Sequence, residues 1–313
     1  MEMRKLGGQG PEISVVGFGA WEAGGFGWGP RSEEESIDAI RAALDAGMNW
    51  IDTAEVYGNG RSEELVGRAL RGRSDEAMVF TKIGASRSGY HREGVRAGIR
   101  GSLTRLGLTQ VDLYQIHWFD PSGPPVEETW AAMAELVDEG LARHIGVSNF
   151  GLDLIERCEA IRHVDSVQNQ FSLFRQSDRD ELLPWLVENG IGYLAYGPLA
   201  FGLLTGAIDE TTRFPEDDWR SGSIAMGYYR EYFAPSVIGG WVEKVRRLRP
   251  IDERLGIGLP ELALRAALDV PGVTAVIAGS TKPDHVRSNA AAGDLRLDPD
   301  TLAEIEGIVA AER

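Results

Sequence analysis

Three segments that are predicted to be strands end on polar side chains able to handle protons. Asn49-Trp-Ile-Asp52 is rich in β-formers, lies between helix-type sequences and ends on a carboxylate, with Tyr57 in the loop that follows. Ala77-Met-Val-Phe-Thr-Lys82 ends on a lysine, and Val111-Asp-Leu-Tyr-Gln-Ile-His117 ends on a histidine. In α/β barrels the carboxyl ends of the strands and the loops after them carry the active site. We therefore expect one site that contains Asp52, Tyr57, Lys82 and His117.

These four side chains suit the protonation of a carbonyl oxygen. A tyrosine alone is a weak acid with a pKa of about 10, and a neighbouring lysine ammonium is expected to lower that pKa by stabilising the phenolate. An aspartate beside the lysine would hold the buried ammonium in place. The histidine is expected to donate a hydrogen bond to the carbonyl oxygen and to orient it. Such a set performs general acid catalysis, for which the other reactant is a hydride donor.

The composition indicates a protein with a large core and few polyanionic partners. The chain has 313 residues, of which 43% are hydrophobic and 8% aromatic, and an α/β barrel reaches this length as one domain. A formal net charge of −16 argues against nucleic acid or an anionic membrane as a partner. The single cysteine, Cys158, excludes an intramolecular disulfide and a cysteine zinc site. Without a signal-peptide pattern or a membrane-spanning apolar stretch, we expect a cytoplasmic protein.

Strands and helices alternate along the chain after a predicted β-hairpin at residues 3–16. This alternation favours one closed (β/α)8 TIM barrel over residues 1–313. The core strands are predicted at Val15–Phe18, Asn49–Asp52, Ala77–Lys82, Val111–His117, Arg143–Val147, Ser166–Gln170, Ile191–Tyr196 and Thr274–Ile277. A doubly wound sheet is the alternative, but its Gly-x-Gly-x-x-Gly fingerprint is not matched, because Glu22 stands where Gly17-Phe-Gly19 needs a third glycine.

Helix starts and long loops complete the predicted architecture. Helices are predicted from Ser32, from Ser62, at His91–Leu106, Val126–Glu139, Leu152–Ile161 and Asp178–Asn189, and from Val237 and Leu259. Four polar residues are predicted as N-caps, namely Ser32, Ser62, Asp153 and Asp178. Two segments are predicted as long loops at the carboxyl ends of the strands: the glycine-rich residues 24–30 and the irregular residues 199–234. The second is too long for a simple connection and is typical of a functional lid.

A series of short motifs occurs in order along the chain. They are Arg4-Lys-Leu-Gly7, Gly17-Phe-Gly-Ala-Trp21, Asn49-Trp-Ile-Asp-Thr-Ala-Glu-Val-Tyr-Gly58, Ser62-Glu-Glu-Leu-Val-Gly67, Phe80-Thr-Lys82, Asp112-Leu-Tyr-Gln-Ile-His-Trp118, Ile145-Gly-Val-Ser-Asn-Phe150, Gln168-Asn-Gln170, Tyr196-Gly-Pro-Leu-Ala-Phe-Gly-Leu-Leu-Thr-Gly206 and Ile277-Ala-Gly-Ser-Thr-Lys282. In type and order they resemble the motifs of the aldo-keto reductase superfamily, above all its bacterial members related to potassium-channel β-subunits. The resemblance implies a carbonyl reductase with an NADPH-type cofactor across the barrel mouth.

The resemblance also implies roles for single residues. Tyr57 matches the proton donor, Lys82 its partner, Asp52 the support of the lysine, and His117 the group that orients the carbonyl. The nicotinamide carboxamide is expected at Ser148, Asn149 and Gln170, with the ring stacked on Tyr196. The pyrophosphate is expected beneath Gly197, Pro198, Leu199, Gly202 and Leu203, and the adenosine end beside Gly279, Ser280, Thr281, Lys282, His285 and Asn289. Trp21 and Trp118 are expected to be walls of the substrate pocket.

The sequence leaves alternatives open for the preferred cofactor and for the function. Many relatives carry Arg or Gln at the position of His285 and often Arg at Thr281, so Lys282 is the clearest partner for a 2′-phosphate, and NADH is the alternative to NADPH. The expected substrate is a small aldehyde, ketone or sugar carbonyl. The second hypothesis is a regulatory subunit that binds the cofactor with slow or vestigial reductase activity. A metal-dependent barrel hydrolase is the third and weakest, because no His-x-His or acidic cluster accompanies His117.

Overall fold

The computed structural model describes residues 1–29, 32–224 and 226–311. Pro30, at the end of the predicted glycine-rich loop, and Ala225, within the predicted lid, lie outside the described residues. A two-stranded antiparallel hairpin, β1 (Met3–Lys5) and β2 (Glu12–Ser14), comes first. The strands of the barrel follow as β3 (Val16–Gly19), β4 (Trp50–Asp52), β5 (Met78–Ile83), β6 (Val111–Ile116), β7 (Ala142–Ser148), β8 (Ser166–Gln170), β9 (Gly192–Tyr196) and β10 (Ala275–Ala278).

The eight strands β3 to β10 pair in parallel in chain order, and β10 closes the barrel against β3. The helices are α1 (Glu33–Asp45), α2 (Arg61–Ala69), α3 (Arg92–Leu106), α4 (Val126–Asp138), α5 (Leu152–Glu159), α6 (Leu182–Glu188), α7 (Ile238–Leu255), α8 (Leu259–Leu268), α9 (Pro283–Ala291) and α10 (Pro299–Ala310). The predicted hairpin and (β/α)8 barrel are confirmed. Among the described residues, no helix has both the length and the apolar sequence needed to cross a membrane.

The hairpin lies against the amino-terminal end of the barrel and helps to fill its interior. Leu6 and Ile13 are fully buried in one cluster with Trp50 and other inward-facing side chains. The indole of Trp50 donates to the Ser14 carbonyl at 2.8 Å. A Cβ at Gly17 would lie 2.1 Å from the Trp50 ring, so glycine is needed there. The polar residues at the other end of the strands therefore stand above a packed floor.

Three of the four predicted N-caps are wrong. Ser32 caps α1 as predicted, accepting a hydrogen bond from the Glu35 amide at 3.3 Å. Ser62 lies inside α2, where Gly60 is the N-cap, and its buried hydroxyl donates to the Ala20 carbonyl instead. Gly151, not Asp153, precedes α5. The carboxylate of Asp178 accepts from two side chains of the neighbouring strands, and α6 starts only at Leu182.

The long segment 199–234 packs over the barrel mouth as an aromatic layer. Its described residues include the 3₁₀ turns Ala200–Thr205 and Trp219–Ser221 and a π-helical turn at Tyr229–Phe233. Its rings pack edge to face, with the centroids of Phe201 and Trp219 5.1 Å apart. These residues belong to a second hydrophobic cluster that includes Trp28 from the loop after β3. The predicted lid is therefore a packed element with its own core.

Candidate active site

Strand ends and one loop bring the four predicted catalytic side chains together. Asp52 ends β4, Lys82 lies near the end of β5, and His117 follows β6. The Lys82 ammonium donates to Asp52 Oδ1 at 2.6 Å and to the Thr53 carbonyl at 2.9 Å. It reaches the Tyr57 hydroxyl at 3.4 Å, and the rings of Tyr57 and His117 are 5.5 Å apart. The site thus joins a phenol to a buried ion pair and faces the phenol with an imidazole.

The loop after β4 fixes the phenol by its backbone. Tyr57 begins a short turn in which Gly58 and Asn59 both have positive φ angles, of 56° and 57°. A Cβ at Gly58 would lie 2.1 Å from the Gly24 carbonyl oxygen. Glu55, two residues before Tyr57, accepts from the Gly84 amide and from the Ser88 hydroxyl, both at 2.8 Å. The backbone is therefore fixed both before Tyr57, by the bonds of Glu55, and after it, by the turn at Gly58 and Asn59.

Burial decides the protonation states in the site. Burial raises the pKa of Tyr57 well above 10, and the charge of Asp52 adds to the rise. Burial and the charge of Asp52 outweigh any lowering by Lys82, so the net shift of the Tyr57 pKa is opposite to the one that we expected. Burial and the charge of Lys82 hold the pKa of His117 well below 6.5. Tyr57 therefore keeps its proton at neutral pH, and His117 is a neutral imidazole.

The ion pair itself is sustained by mutual contact. Burial raises the pKa of Asp52 and lowers the pKa of Lys82, while the short contact between the two groups opposes both shifts. The Asp52 Oδ2 atom accepts a further hydrogen bond from Gln168 Nε2 at 2.8 Å. Each charge depends on its partner, as is expected for buried ions.

A cavity of about 1080 Å³ opens above these residues. It contains three of the four predicted catalytic residues and most of the predicted cofactor residues. The predicted residues that line it are Trp21, Asp52, Tyr57, His117, Trp118, Ser148, Asn149, Tyr196, Gly197, Pro198, Leu199, Gly202, Gly279, Ser280, Thr281, Lys282, His285 and Asn289. Lys82 is fully buried behind Asp52 and Tyr57. The residues that line the cavity extend from the catalytic side chains to the start of α9.

Two predicted cofactor residues do not line this cavity. The side chain of Leu203 is fully buried in the aromatic layer. The amide of Gln170 donates to the Tyr232 hydroxyl at 2.9 Å. Gln168, which belongs to the motif Gln168-Asn-Gln170, does line the cavity. Of the two glutamines of this strand, Gln168 lies on the cavity wall and Gln170 lies against the lid.

The lid supplies two residues that sequence reasoning did not assign. The Tyr228 hydroxyl is 2.9 Å from the Tyr196 hydroxyl, which donates to Asn149 Oδ1 at 2.6 Å. Arg220 lines the cavity beside Gly202, with its guanidinium held by Asp218 at 2.6 Å. The only sequence signal for either was their place in an unusually long loop.

The far end of the cavity has features that suit phosphate groups. Helix α9 begins after Lys282 without a side-chain cap, and because Pro283 has no N–H, the first amides that can face an anion are those of Asp284 and His285. A Cβ at Gly279 would lie 2.4 Å from the Gly19 carbonyl oxygen, so two backbone segments form a narrow wall there. Arg220, which lies beside Gly202 and is paired with Asp218, adds a guanidinium to the cavity wall, the group best suited to phosphate recognition. The donor set therefore fits a dinucleotide. No group of three or more potential metal-ligating side chains occurs in the parts of the chain that the structure describes.

Sequence comparisons place similar proteins in two functional settings. A sequence profile of the Aldo/keto reductase family matches residues 15–310. The chain is 37% identical over 298 residues to Aldo-keto reductase YhdN of Bacillus subtilis (strain 168), which covers 92% of this chain and 87% of the relative. It is also 33% identical over 326 residues to a probable voltage-gated potassium channel subunit beta of Oryza sativa subsp. japonica, covering 99% and 97% of the two chains.

Solved structures agree in fold over nearly the whole chain. The glycerol dehydrogenase AKR11B4 from Gluconobacter oxydans has a TM-score of 0.84 at 30% identity, covering 98% of this chain and 95% of that one. An aldo-keto reductase from Klebsiella pneumoniae in complex with NADPH has a TM-score of 0.78 at 25% identity, covering 100% and 97%. With the barrel, the strand-end residues and the matched profile in agreement, the chain belongs to the aldo/keto reductase family.

Proposed function

We propose that this protein is an NADPH-dependent carbonyl reductase in which Tyr57 is the general acid. The observation that carries the proposal is the Tyr57 phenol, which lies 3.4 Å from the Lys82 ammonium in the wall of a cavity that it shares with His117. Membership of a family of oxidoreductases supports the reaction class. The substrate class is a small aldehyde, ketone or sugar carbonyl, with Trp21 and Trp118 as walls of its pocket.

The residues of this chain would hold the carbonyl and protonate it. A nicotinamide held in the cavity would supply the hydride for the carbonyl carbon. His117 donates a hydrogen bond to the carbonyl oxygen, and the raised pKa of Tyr57 keeps a proton available for that oxygen. Lys82 stabilises the negative charge that develops on Tyr57 as its proton leaves, and Asp52 keeps Lys82 charged. The same groups serve the reverse direction, with Tyr57 as the base.

The cofactor residues follow the cavity from the catalytic end to α9. We assign the carboxamide contacts to Ser148, Asn149 and Gln168, because Gln168 lines the cavity and Gln170 does not. Tyr196 would stack on the nicotinamide ring, and the loop after β9 would lie over the pyrophosphate, beside Arg220.

NADPH is preferred to NADH on the charges at the far end. Lys282 is exposed and has no ion pair among the described residues, and His285 lies beside it on the cavity wall. A similar structure from Klebsiella pneumoniae was solved with NADPH. Cys158 is free and buried, as is usual in a reducing compartment, so a cytoplasmic location is part of the proposal.

A second function is favoured by one comparison. The likeness to a probable potassium channel β-subunit extends over 99% of this chain. On that hypothesis the chain binds the cofactor but reacts slowly, and its role is to report cofactor state to a partner. The catalytic residues alone do not separate these functions.

Single-turnover oxidation of bound NADPH by a panel of aldehydes and sugars tests the proposal. Replacing Tyr57 by Phe removes the acidic proton, and we expect oxidation to slow by roughly 10²- to 10⁴-fold. Tyr229→Phe is the matched control, because Tyr229 is not among the described residues that line the cavity. Tight NADPH binding with no oxidation by wild type would reject the reductase and favour the regulatory function.

A further inference from the structure

Gln168 lies between the expected carboxamide site and the buried ion pair. It is 2% exposed and lines the cavity. Its Cα is the register partner of Ser148 on β7, and its carbonyl accepts the Asn149 amide at 3.0 Å. A carboxamide held by Ser148 and Asn149 is therefore next to Gln168.

The orientation of the Gln168 amide is set by its neighbours. A carboxylate only accepts hydrogen bonds when ionised, so the group 2.8 Å from Asp52 Oδ2 is the amide nitrogen. The second hydrogen of that nitrogen points to Gln115 Oε1 at 3.5 Å. Both donors are thus committed to the barrel interior. The Oε1 atom makes no hydrogen bond within the described part of the chain and is the acceptor left for a ligand.

From this arrangement we infer that Gln168 is a positioning residue that couples the cofactor carboxamide to the Asp52–Lys82–Tyr57 set. This inference rests on the proposed function, because it requires a nicotinamide cofactor in the cavity. The carboxamide amine donates to Gln168 Oε1, and Gln168 Nε2 donates to Asp52. Asp52 in turn holds Lys82 at 2.6 Å, and Lys82 contacts Tyr57. An amide that accepts a hydrogen bond becomes a stronger donor, so occupancy of the carboxamide site strengthens the bond to Asp52.

The coupling predicts the direction in which cofactor affinity changes with pH. Burial raises the pKa of Asp52, and the bonds from Lys82 and Gln168 oppose that rise. A stronger bond from Gln168 lowers the pKa of Asp52 in the complex, so the cofactor binds best when Asp52 is ionised. Affinity should then fall as the pH falls through the pKa of Asp52, by linkage. The other titratable groups around this pair are Tyr57 and His117 on the cavity side and Glu63, which acts on Lys82 from α2.

The experiment compares NADPH with its reduced 3-acetylpyridine analogue, which has a methyl ketone in place of the amide and cannot donate to Gln168. Dissociation constants of both are measured over the acid range by fluorescence titration, with wild type, Gln168→Met and Gln170→Met. Any titration of the 2′-phosphate is common to both cofactors and cancels in their ratio.

We expect wild type to prefer NADPH by about fivefold or more at neutral pH, the size of one hydrogen bond, and that preference to weaken as the pH falls, because only the cooperative part of the bond depends on Asp52. Gln168→Met should show a preference near one at every pH, and Gln170→Met should keep the wild-type pH dependence. A preference that does not change with pH in wild type overturns the coupling. The coupling is also overturned if Gln170→Met, and not Gln168→Met, loses the pH dependence. The wild-type comparison needs no substitution, so it decides the matter even if Gln168→Met fails to fold.

The two possible failures are distinct. If wild type binds neither reduced cofactor, the proposed function fails. If it binds both with the same pH dependence, only the coupling through Gln168 fails. Both results come from cofactor binding alone, so the experiment applies equally if the protein is a cofactor-binding regulatory subunit.

Discussion

The ammonium of Lys82 has no exposed surface and lies between a carboxylate, a backbone carbonyl and a phenol. Removing a charge of this kind from water costs several kcal/mol, and the contact with Asp52 recovers that cost only while both partners are present. The pair therefore adds little net stability. Its value lies in keeping one positive charge fixed beside Tyr57.

This view of the ion pair predicts non-additive losses. Lys82→Met or Asp52→Asn alone leaves one buried charge unpaired and should lower the free energy of unfolding by about 3–5 kcal/mol. The double variant has no buried charge at this point and should be more stable than the sum of the two losses predicts. Equilibrium unfolding in urea at neutral pH measures all four proteins. Strictly additive losses would mean that the two side chains act independently, against the 2.6 Å contact.

Helices and strands differed in how well local sequence predicted them. Every barrel strand was predicted close to its observed position, because most are short runs of apolar or β-forming residues between helical sequences. N-caps were predicted less well. Ser62 and Asp178 have cap-forming side chains, but tertiary partners take those side chains and the helices begin elsewhere. Local capping preference is worth only about 1 kcal/mol, which a buried hydrogen bond of similar size can outweigh.

The lid shows that local sequence also fails to predict which side chains reach the site. Its length indicated function, but the sequence could not predict which of its aromatic side chains would meet the cofactor residues. Tyr228 precedes a π-helical turn and Tyr232 lies within it, and each bonds a different predicted cofactor residue, Tyr196 and Gln170. The choice depends on how the turn packs on the barrel, a property that periodicity does not encode. π-helical turns often occur at functional sites for this reason.

The bond from the lid to Tyr196 predicts an effect on cofactor release. Tyr228→Phe removes the hydroxyl that holds Tyr196 and should accelerate NADPH dissociation by about fivefold, the equivalent of one hydrogen bond. Displacement of bound NADPH, followed by stopped-flow fluorescence, gives the rate. Tyr229 is the next residue, at the start of the π-helical turn, and Tyr229→Phe should leave the rate unchanged. If both variants release NADPH at the wild-type rate, the lid does not hold the cofactor site through Tyr228.

At the scale of the whole molecule, the fold was predictable and the ligand preference was not. Eight repeats of strand and helix over 313 residues leave few architectures other than a closed barrel. The fine division of roles inside the cavity depended on side-chain directions. Gln168 and Gln170 lie two residues apart on one strand, and only the three-dimensional structure shows that one reaches the cavity and Asp52 while the other reaches the lid.

The charge distribution of the whole molecule gives a test of cofactor preference. With a formal net charge of −16, the chain repels anions in general, so tight binding of a 2′-phosphate depends on local cations such as Lys282. A ligand at a hundred times its Kd stabilises the folded state by about 2.7 kcal/mol, which for a chain of this size raises Tm by about 4 °C. At equal concentrations, NADPH should raise Tm more than NADH, as measured by differential scanning fluorimetry. Lys282→Ala should reduce the NADPH effect and leave the NADH effect unchanged, because only NADPH carries the 2′-phosphate. If the two cofactors raise the Tm of wild type equally, or if Lys282→Ala reduces both effects equally, the site does not prefer NADPH to NADH.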